Sequence, residues 1–210
     1  MTHEFGTSVT NDVDKGQHYS ECSCGAKKYE DHNVSNGSCD CGYQAPVTKQ
    51  FVKVTEVPSD WSGTYLIVYE DDTNSEDDTN SVAFNGALTK LDANNNNIKV
   101  TINNGTIDLS ESLTSATVTI AKAEDNKYTI KTASGYYIGA TSNTSNTLLS
   151  NTSKTYSNTL AFNNGKVDII GSGGAYLRYN PTSGTARFRY YKSSSYTAQK
   201  AITLYKLVEA

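Results

Sequence analysis

Short stretches in which apolar and polar residues alternate fill the chain from residue 51 onwards. Clear examples are 51–57 (FVKVTEV), 63–70 (GTYLIVYE), 127–132 (KYTIKT) and 201–207 (AITLYKL). Alternation with a period of two predicts strands that bury one face, and long helical patterns are missing. Asn-Gly pairs and other glycine-containing turns separate the stretches. The pattern therefore predicts an all-β domain over residues 51–210.

An internal repeat organises these predicted strands. Residues 127–140 (KYTIKTASGYYIGA) align without a gap on residues 166–179 (KVDIIGSGGAYLRY), with Ile130 opposite Ile169. Each copy predicts a strand, a glycine-containing turn and a second strand. Residues 63–87 form a degenerate third copy, in which an acidic run replaces the tight turn.

Two further stretches complete the predicted strand set. Residues 99–109 (KVTINNGTIDL) predict an extra hairpin with Asn-Gly at its turn. The last strand, 201–207, is expected to pair with 51–57 and so to join the two ends of the domain.

Three units of four strands, each about 40–50 residues long and closed by the two ends of the domain, are typical of a repeat architecture. In this respect the region 51–210 resembles β-trefoil modules such as those of ricin-type lectins and fascins. The resemblance implies a β-trefoil-like fold. The Gln-x-Trp motif of the lectins is absent, so the resemblance does not imply a particular sugar. A β-sandwich is the alternative, because the same number of strands permits it.

The net charge of −4 comes from one segment, 70–81 (EDDTNSEDDTNS), which holds six acidic residues. Without these six, the chain has 16 acidic and 18 basic residues, so the rest of it is nearly neutral. That balance gives no support for nucleic-acid binding. The acidic run lacks the spacing of an EF-hand and is expected to be a flexible loop. No apolar run approaches the roughly 18–20 residues of a membrane-spanning helix.

All four cysteines and all three histidines lie in the first 46 residues. A domain boundary is therefore predicted near residues 44–50, with a separate small module over 1–46. A segment of about 40–50 residues buries little apolar surface and usually needs a metal ion or disulfides to fold.

The cysteines form two Cys-x-Cys-Gly elements, in which one residue separates the pair instead of the two that are usual in a zinc ribbon. Thiolates are suitable ligands for a tetrahedral zinc ion, and the expected ligands are Cys22, Cys24, Cys39 and Cys41. The segment resembles short His/Cys repeats of bacterial surface proteins, which are similar to zinc-ribbon modules. That resemblance allows a histidine to replace a cysteine. The alternative ligands are His3, His18 and His32.

We accordingly expect one structural zinc ion held by four of these seven residues. The alternative is a pair of disulfides, for example Cys22–Cys39 and Cys24–Cys41, which a secreted protein favours. A catalytic zinc ion is not expected, because no His-Glu-x-x-His helix is present.

The hairpin 174–192 (GAYLRYNPTSGTARFRYYK) contains all three arginines of the chain. Strand alternation predicts one face with five aromatic or cationic side chains, which could stack on a sugar and bind its hydroxyl groups. These candidate ligand-binding residues are Tyr176, Arg178, Arg187, Arg189 and Tyr191. The alternative is a strand face on which arginine and tyrosine side chains only pack on each other.

Residues 51–210 contain no histidine and no cysteine, which excludes Ser-His-Asp and Cys-His catalysis there. No glycine-rich loop opens a helix, so there is no phosphate-binding motif. We expect the chain not to be an enzyme.

The segment 176–207 resembles C-terminal β modules of multidomain secreted hydrolases of gut bacteria. The resemblance implies an accessory module of a longer, secreted or cell-surface protein. Its expected partner is a glycan or a host or cell-surface polysaccharide, and it is expected to be monomeric, without nucleic-acid binding or membrane insertion. The alternative function is that of a structural spacer or protein-interaction module of an extracellular hydrolase.

Overall fold

A computed structural model describes residues 3–34, 38–43, 49–71 and 80–209. They form two compact units, which divide between Tyr43 and Lys49. Residues 44–48, most of the predicted boundary, lie outside the described residues. No helix in the described ranges is long and apolar enough to cross a membrane.

The small unit is an antiparallel meander of three short strands. They are β1 (Thr10–Asp12), β2 (Gln17–Glu21) and β3 (Lys27–Asp31). A cross-strand pair of Tyr19 and Tyr29, with ring centroids 5.6 Å apart, lies between β2 and β3. An isolated bridge from Phe5 to Cys22 adds the N-terminal segment to the unit.

The described residues of the small unit form almost no hydrophobic core. Among its described apolar residues only Cys22 and Cys39 are buried, and the polar side chains of His18 and Ser20 are buried with them. A chain of this length without buried aliphatic or aromatic side chains cannot offset its loss of conformational entropy by burial alone. The described part of the small unit therefore has little of the apolar burial that stabilises most folded domains.

The large unit is built almost entirely from antiparallel strands, and the all-β prediction is confirmed. Its elements are β4 (Lys49–Lys53), β5 (Gly63–Tyr69), β6 (Val82–Phe84), β7 (Asn97–Lys99), β8 (Thr106–Asp108), α1 (Glu111–Ser115), β9 (Val118–Glu124), β10 (Lys127–Thr132), β11 (Tyr137–Gly139), β12 (Leu149–Asn151), β13 (Asn158–Asn163), β14 (Lys166–Gly171), β15 (Tyr176–Asn180), β16 (Arg187–Tyr191), a 3₁₀ helix (Tyr196–Ala198) and β17 (Thr203–Glu209).

Six of these strands pair in a ring, in the order β17, β5, β9, β10, β13 and β14. The ring closes from β14 to the chain just before β17, at an isolated bridge between Val167 and Ile202. Strands β6, β11 and β15 pair with β5, β10 and β14 respectively, and each continues into a further strand. The result is one ring with three attached hairpins.

The internal repeat has the same local structure in its two best copies. Lys131 of β10 pairs with Tyr137 of β11, and the equivalent residues of the other copy, Ile170 of β14 and Tyr176 of β15, pair in the same way. The two copies therefore have the same strand register. Both turns place a glycine, Gly135 or Gly174, at a φ of 94°. In that region only glycine avoids a steric cost, so the Ser-Gly and Gly-Gly signals have a physical cause.

The main core lies inside the ring and the hairpins. Inward residues of β5, such as Tyr65 and Ile67, belong to it together with Trp61. The intervening Leu66 and Val68 pack in a second core, which β4, β8 and α1 cover. The uninterrupted apolar run of β5 is thus explained by burial on both faces.

The predicted pairing of the two ends of the large unit is confirmed, because Leu207 of β17 lies opposite Phe51 of β4. The predicted hairpin 99–109 is confirmed only at its turn. Asn104 and Gly105 have φ values of 49° and 79°, and Asn103 and Thr106 exchange backbone hydrogen bonds. The arms then separate, since β7 pairs with β6 and β8 pairs with β4.

The first residue of the acidic run differs from the prediction that the run is a flexible loop. Residues 72–79 lie outside the described residues. Glu70, its first residue, directly follows β5 and is buried, not solvated. The insertion falls between Tyr69 and Val82, which pair directly, so it replaces the turn of the third repeat copy as predicted.

Gly173 packs directly on the backbone of the neighbouring repeat. A Cβ at this position would lie 2.2 Å from the backbone nitrogen of Ser142 and 2.4 Å from the carbonyl carbon of Thr141. We expect Gly173→Ala to lower the free energy of unfolding by about 2 kcal/mol, measured by urea denaturation. Gly184→Ala is the control, because its Cβ meets nothing within 4 Å and adds only the cost of a φ of +79°, about 1 kcal/mol. Equal losses in both variants would contradict the close packing.

Candidate metal centre and candidate ligand-binding hairpin

Four of the seven predicted ligands converge in the small unit. The ligand atoms of His18, His32, Cys39 and Cys41 all lie within 4.8 Å of one another. The Nδ1 of His18 lies 3.5 Å from the Sγ of Cys39, and the Nδ1 of His32 lies 3.4 Å from the Sγ of Cys41. The two sulfur atoms are 3.1 Å apart. This group can hold one metal ion.

Local structure explains why these side chains meet. His18 projects from β2, and His32 directly follows β3, which pairs with β2. Cys39 and Cys41 sit on a tight turn, in which the N–H of Gly42 donates to the carbonyl of Cys39 and Gly42 has a φ of 84°. The glycine that follows each cysteine pair is therefore required by the turn.

The surroundings of this group act differently on its two thiols. His18 and Cys39 are buried, and the ring of His32 stacks on Tyr43 with centroids 3.9 Å apart. The backbone N–H of Cys41, the strongest influence on Cys39, lowers the pKa of that thiol, whereas desolvation raises the pKa of the Cys41 thiol. One thiol of the pair is thus held closer to the thiolate form that binds metal ions.

The other three predicted ligands form a separate group. The Nδ1 of His3 lies 3.1 Å from the Sγ of Cys24 and 3.7 Å from the Sγ of Cys22. Cys22 and Cys24 are bonded to each other as a disulfide, and Cys39 and Cys41 are free thiols.

The predicted set of four cysteines around one ion therefore differs from the observed grouping, which is two cysteines with two histidines. The cross-linked alternative, Cys22–Cys39 with Cys24–Cys41, is also not what the structure shows. Each Cys-x-Cys turn directs its own two sulfur atoms to one point, and a different set of histidines lies at each point.

The arginine–tyrosine hairpin formed by β15 and β16 alternates as predicted. Leu177, Tyr179, Phe188 and Tyr190 face the core. Of the candidate ligand-binding side chains on the other face, Arg178 and Tyr191 are buried, each with 6% exposure. Tyr176, Arg187 and Arg189 are half-buried.

Carboxylates neutralise two of the three arginines. Arg178 forms an ion pair with Asp168 of β14. Arg189 forms a two-pronged ion pair with Asp92, with distances of 2.7 Å from Nε to Oδ1 and 2.8 Å from the second nitrogen to Oδ2. The Nε of Arg187 donates to the Thr185 carbonyl at 3.4 Å. The face is therefore a set of paired groups, not a row of free cations.

Tyr176 is part of an aromatic pair that the sequence analysis missed. Its ring stacks on Tyr196 of the 3₁₀ helix, with centroids 4.0 Å apart and planes 10° apart. The guanidinium of Arg178 lies 5.3 Å and 5.2 Å from the two ring centroids. We call Tyr176, Tyr196, Arg178 and Asp168 the tyrosine-pair cluster. Tyr196 lies outside any alternating stretch, so no sequence pattern marked it.

No protein-family model matches the chain. A search of curated proteins also found no match.

Proposed function

We propose that this chain is a non-catalytic accessory module of a secreted or cell-surface protein, in which a zinc-bound small unit precedes a β-trefoil that binds glycan. The group of His18, His32, Cys39 and Cys41 is the observation that carries the zinc proposal. The tyrosine-pair cluster is the observation that supports glycan binding.

Zinc is the ion that best suits the four-residue group. A tetrahedral zinc ion with two thiolates and two imidazoles separates a sulfur from a nitrogen by about 3.5 Å. The observed nitrogen–sulfur distances of 3.5 Å and 3.4 Å agree with this geometry. The two sulfur atoms, now 3.1 Å apart, would separate to about 3.8 Å around the ion.

A zinc ion in this group would be structural. Two cysteines and two histidines fill all four positions of the tetrahedron, so none remains for a water molecule or a substrate. The scarcity of buried apolar side chains in the small unit agrees with this role, because metal binding then supplies the folding free energy.

For the large unit, the proposed fold is a β-trefoil. The six-stranded ring, the three hairpins attached to it and the repeated register of two hairpins support this assignment. The additional layer of β4, β8 and α1 would be an elaboration of that fold on one side of β5.

Glycan is the proposed ligand of the tyrosine-pair cluster. Each half-buried tyrosine ring has one apolar face turned away from its partner ring, on which a sugar ring can stack. A tyrosine hydroxyl group can also donate and accept hydrogen bonds. Asp168, whose side chain is 16% exposed, adds an acceptor, and its ion pair with the buried Arg178 fixes the orientation of that acceptor. The cluster thus combines stacking with polar groups, as small-molecule sites do.

We expect Tyr176→Ala and Tyr196→Ala each to weaken glycan binding at least about tenfold, which corresponds to about 1.4 kcal/mol. The ligand would first be found on a glycan array with the intact chain, and the affinities would then be measured by calorimetry. Arg178 is not a suitable first target, since its removal leaves Asp168 unpaired and only partly exposed to water.

Tyr137→Ala is the matched control, because Tyr137 is the repeat equivalent of Tyr176, is also half-buried, and has no stacked ring partner among the described residues. Loss of affinity in Tyr137→Ala alone would place the site on the hairpin of β11 and β12 and would overturn the assignment. Absence of binding to every glycan would overturn the function and favour a spacer role.

A further inference from the structure

The two Cys-x-Cys-Gly turns have the same backbone structure. In the first, the N–H of Cys22 donates to Ala26 at 3.0 Å and the N–H of Gly25 donates to Cys22 at 2.9 Å. In the second, Cys39 donates to Tyr43 at 2.9 Å and Gly42 donates to Cys39 at 2.8 Å. Gly25 and Gly42 have φ values of 82° and 84°. The tight turn at Cys39, which directs two sulfur atoms towards histidines, therefore occurs twice in the chain.

The first turn also has a histidine in position. The Nδ1 of His3 lies 3.1 Å from the Sγ of Cys24 and 3.7 Å from the Sγ of Cys22. The bridge between Phe5 and Cys22, together with the hydrogen bond from the N–H of Gly6 to Glu21, holds the His3 segment alongside this turn. Backbone pairing thus fixes the position of His3, and this position brings its ring beside the two sulfur atoms.

We propose that His3, Cys22 and Cys24 form a second metal site, which binds a zinc-like divalent ion only when the Cys22–Cys24 disulfide is reduced. Sulfur atoms in a disulfide have no thiolate charge with which to ligate the ion. The second turn holds two unbonded sulfur atoms at 3.1 Å on the same backbone, so reduction of the first turn requires no rearrangement of its main chain.

A dithiol can reduce the Cys22–Cys24 disulfide. The dithiol transfers two electrons and two protons to the Cys22–Cys24 bond and becomes a disulfide itself, which leaves two thiols on the protein. Binding of the ion then displaces the two thiol protons into solvent. Loss of the ion followed by oxidation restores the starting state.

This second site would differ from the first in being open. Three protein ligands leave the fourth tetrahedral position to a water molecule, and within the described ranges no further histidine, cysteine or carboxylate joins the group. We call the four-ligand group of His18, His32, Cys39 and Cys41 the closed group. His3 and Cys24 are exposed, whereas two of the four ligands of the closed group are buried. We therefore expect an exchangeable ion here and a retained ion in the closed group.

The test is a zinc count on the intact chain by elemental analysis, after dialysis against dilute zinc. Reduced protein should hold two zinc ions per chain, and protein oxidised at Cys22 and Cys24 should hold one. A mass measurement after thiol alkylation establishes which state is present. Reduced protein with both thiols alkylatable but only one zinc ion bound would overturn the proposal.

Variants separate this site from the closed one. Cys22→Ser combined with Cys24→Ser should hold one zinc ion in both redox states, and His3→Ala should lose the second ion at concentrations of chelator that spare it in the unmodified protein. With cobalt in place of zinc, the thiolate-to-metal absorption should fall to about half in the double variant. A double variant that still binds two ions would contradict the site. Loss of the remaining ion would instead count against the closed group.

Discussion

Treatment with a metal chelator is expected to unfold the small unit and to leave the large unit folded. The small unit buries only two apolar residues among those described, and both are cysteines. Removal of an ion from His18, His32, Cys39 and Cys41 therefore removes most of what stabilises it. Structural zinc in small domains contributes on the order of 10 kcal/mol, which exceeds the stability of a unit of this size.

The two units can be followed separately in one sample. Trp61 is the only tryptophan of the chain and is buried in the core of the large unit, so its fluorescence reports on that unit alone. Amide NMR signals of β2 and β3 report on the small unit. We expect these signals to collapse to unfolded positions on chelation and to return with zinc, while the emission of Trp61 stays constant.

A matched pair of variants controls this experiment. Cys39→Ser with Cys41→Ser should give a small unit that is unfolded without any chelator. Cys22→Ser with Cys24→Ser should keep the closed group and remain sensitive to chelator. A small unit that retains its amide signals after complete removal of metal would show that the ion is not structural.

Glu70→Gln is expected to lower the free energy of unfolding of the large unit by about 3 kcal/mol, at the lower end of the range for a broken buried ion pair. One oxygen of Glu70 accepts hydrogen bonds from Lys53 at 2.9 Å and Lys166 at 2.8 Å, and the other accepts from Tyr205 at 2.7 Å. The amide keeps the shape of the side chain but removes the charge that both lysines face. The lower end of the range applies because the two lysine side chains are 28% and 26% exposed.

This contribution should depend on pH in a defined direction. Burial alone would raise the pKa of Glu70, but the hydrogen bonds from Lys166, Tyr205 and Lys53 outweigh it and hold the pKa below the ordinary value of 4.5. A carboxyl whose folded pKa is depressed stabilises the protein above its unfolded pKa, and this stability is lost as the pH falls through the folded pKa. The difference between the original protein and Glu70→Gln should therefore be full at neutral pH and shrink below pH 4.5.

Urea denaturation followed by Trp61 fluorescence at several pH values measures the effect. Glu209→Gln is the control, because Glu209 forms an exposed ion pair with Lys49 and should change the free energy of unfolding by less than about 0.5 kcal/mol. A loss in Glu70→Gln that stays constant down to pH 3 would show that packing, and not charge, is responsible.

Features with a local cause could be predicted from the sequence. The strands follow from alternation, and the turns follow from Asn-Gly and Ser-Gly pairs whose φ values require glycine or asparagine. The repeat predicted that 127–140 and 166–179 share one structure, and their registers agree. The pairing of Phe51 with Leu207 followed from the need to close the repeat.

Features that depend on distant partners could not be predicted. Glu70 belongs by sequence to an acidic run, yet Lys166 and Tyr205, which are far away in the sequence, determine its environment. Arg178 lies on the predicted outer face, but Asp168 from the adjacent strand and the ring of Tyr196 cover it. Alternation assigns a side chain to a face and carries no information about what packs against that face.

The same limit applies to the metal ligands. Seven cysteine and histidine residues were identified as candidates, but their spacing does not decide which four meet. That division depends on the meander of β1, β2 and β3, which places His18 and His32 beside the second turn and leaves His3 beside the first.

The antiparallel ladder between β4 and β17 pairs Lys49 with Glu209, so the first and last described residues of the large unit lie side by side at one end of this ladder. A host polypeptide can therefore enter and leave this unit within a few ångströms, as domain insertion requires. For the same reason the original ends could be joined by a short linker and new ends opened in the exposed turn at 182–184. The unit is thus suited to be carried within a loop of another protein as well as in a linear series of domains.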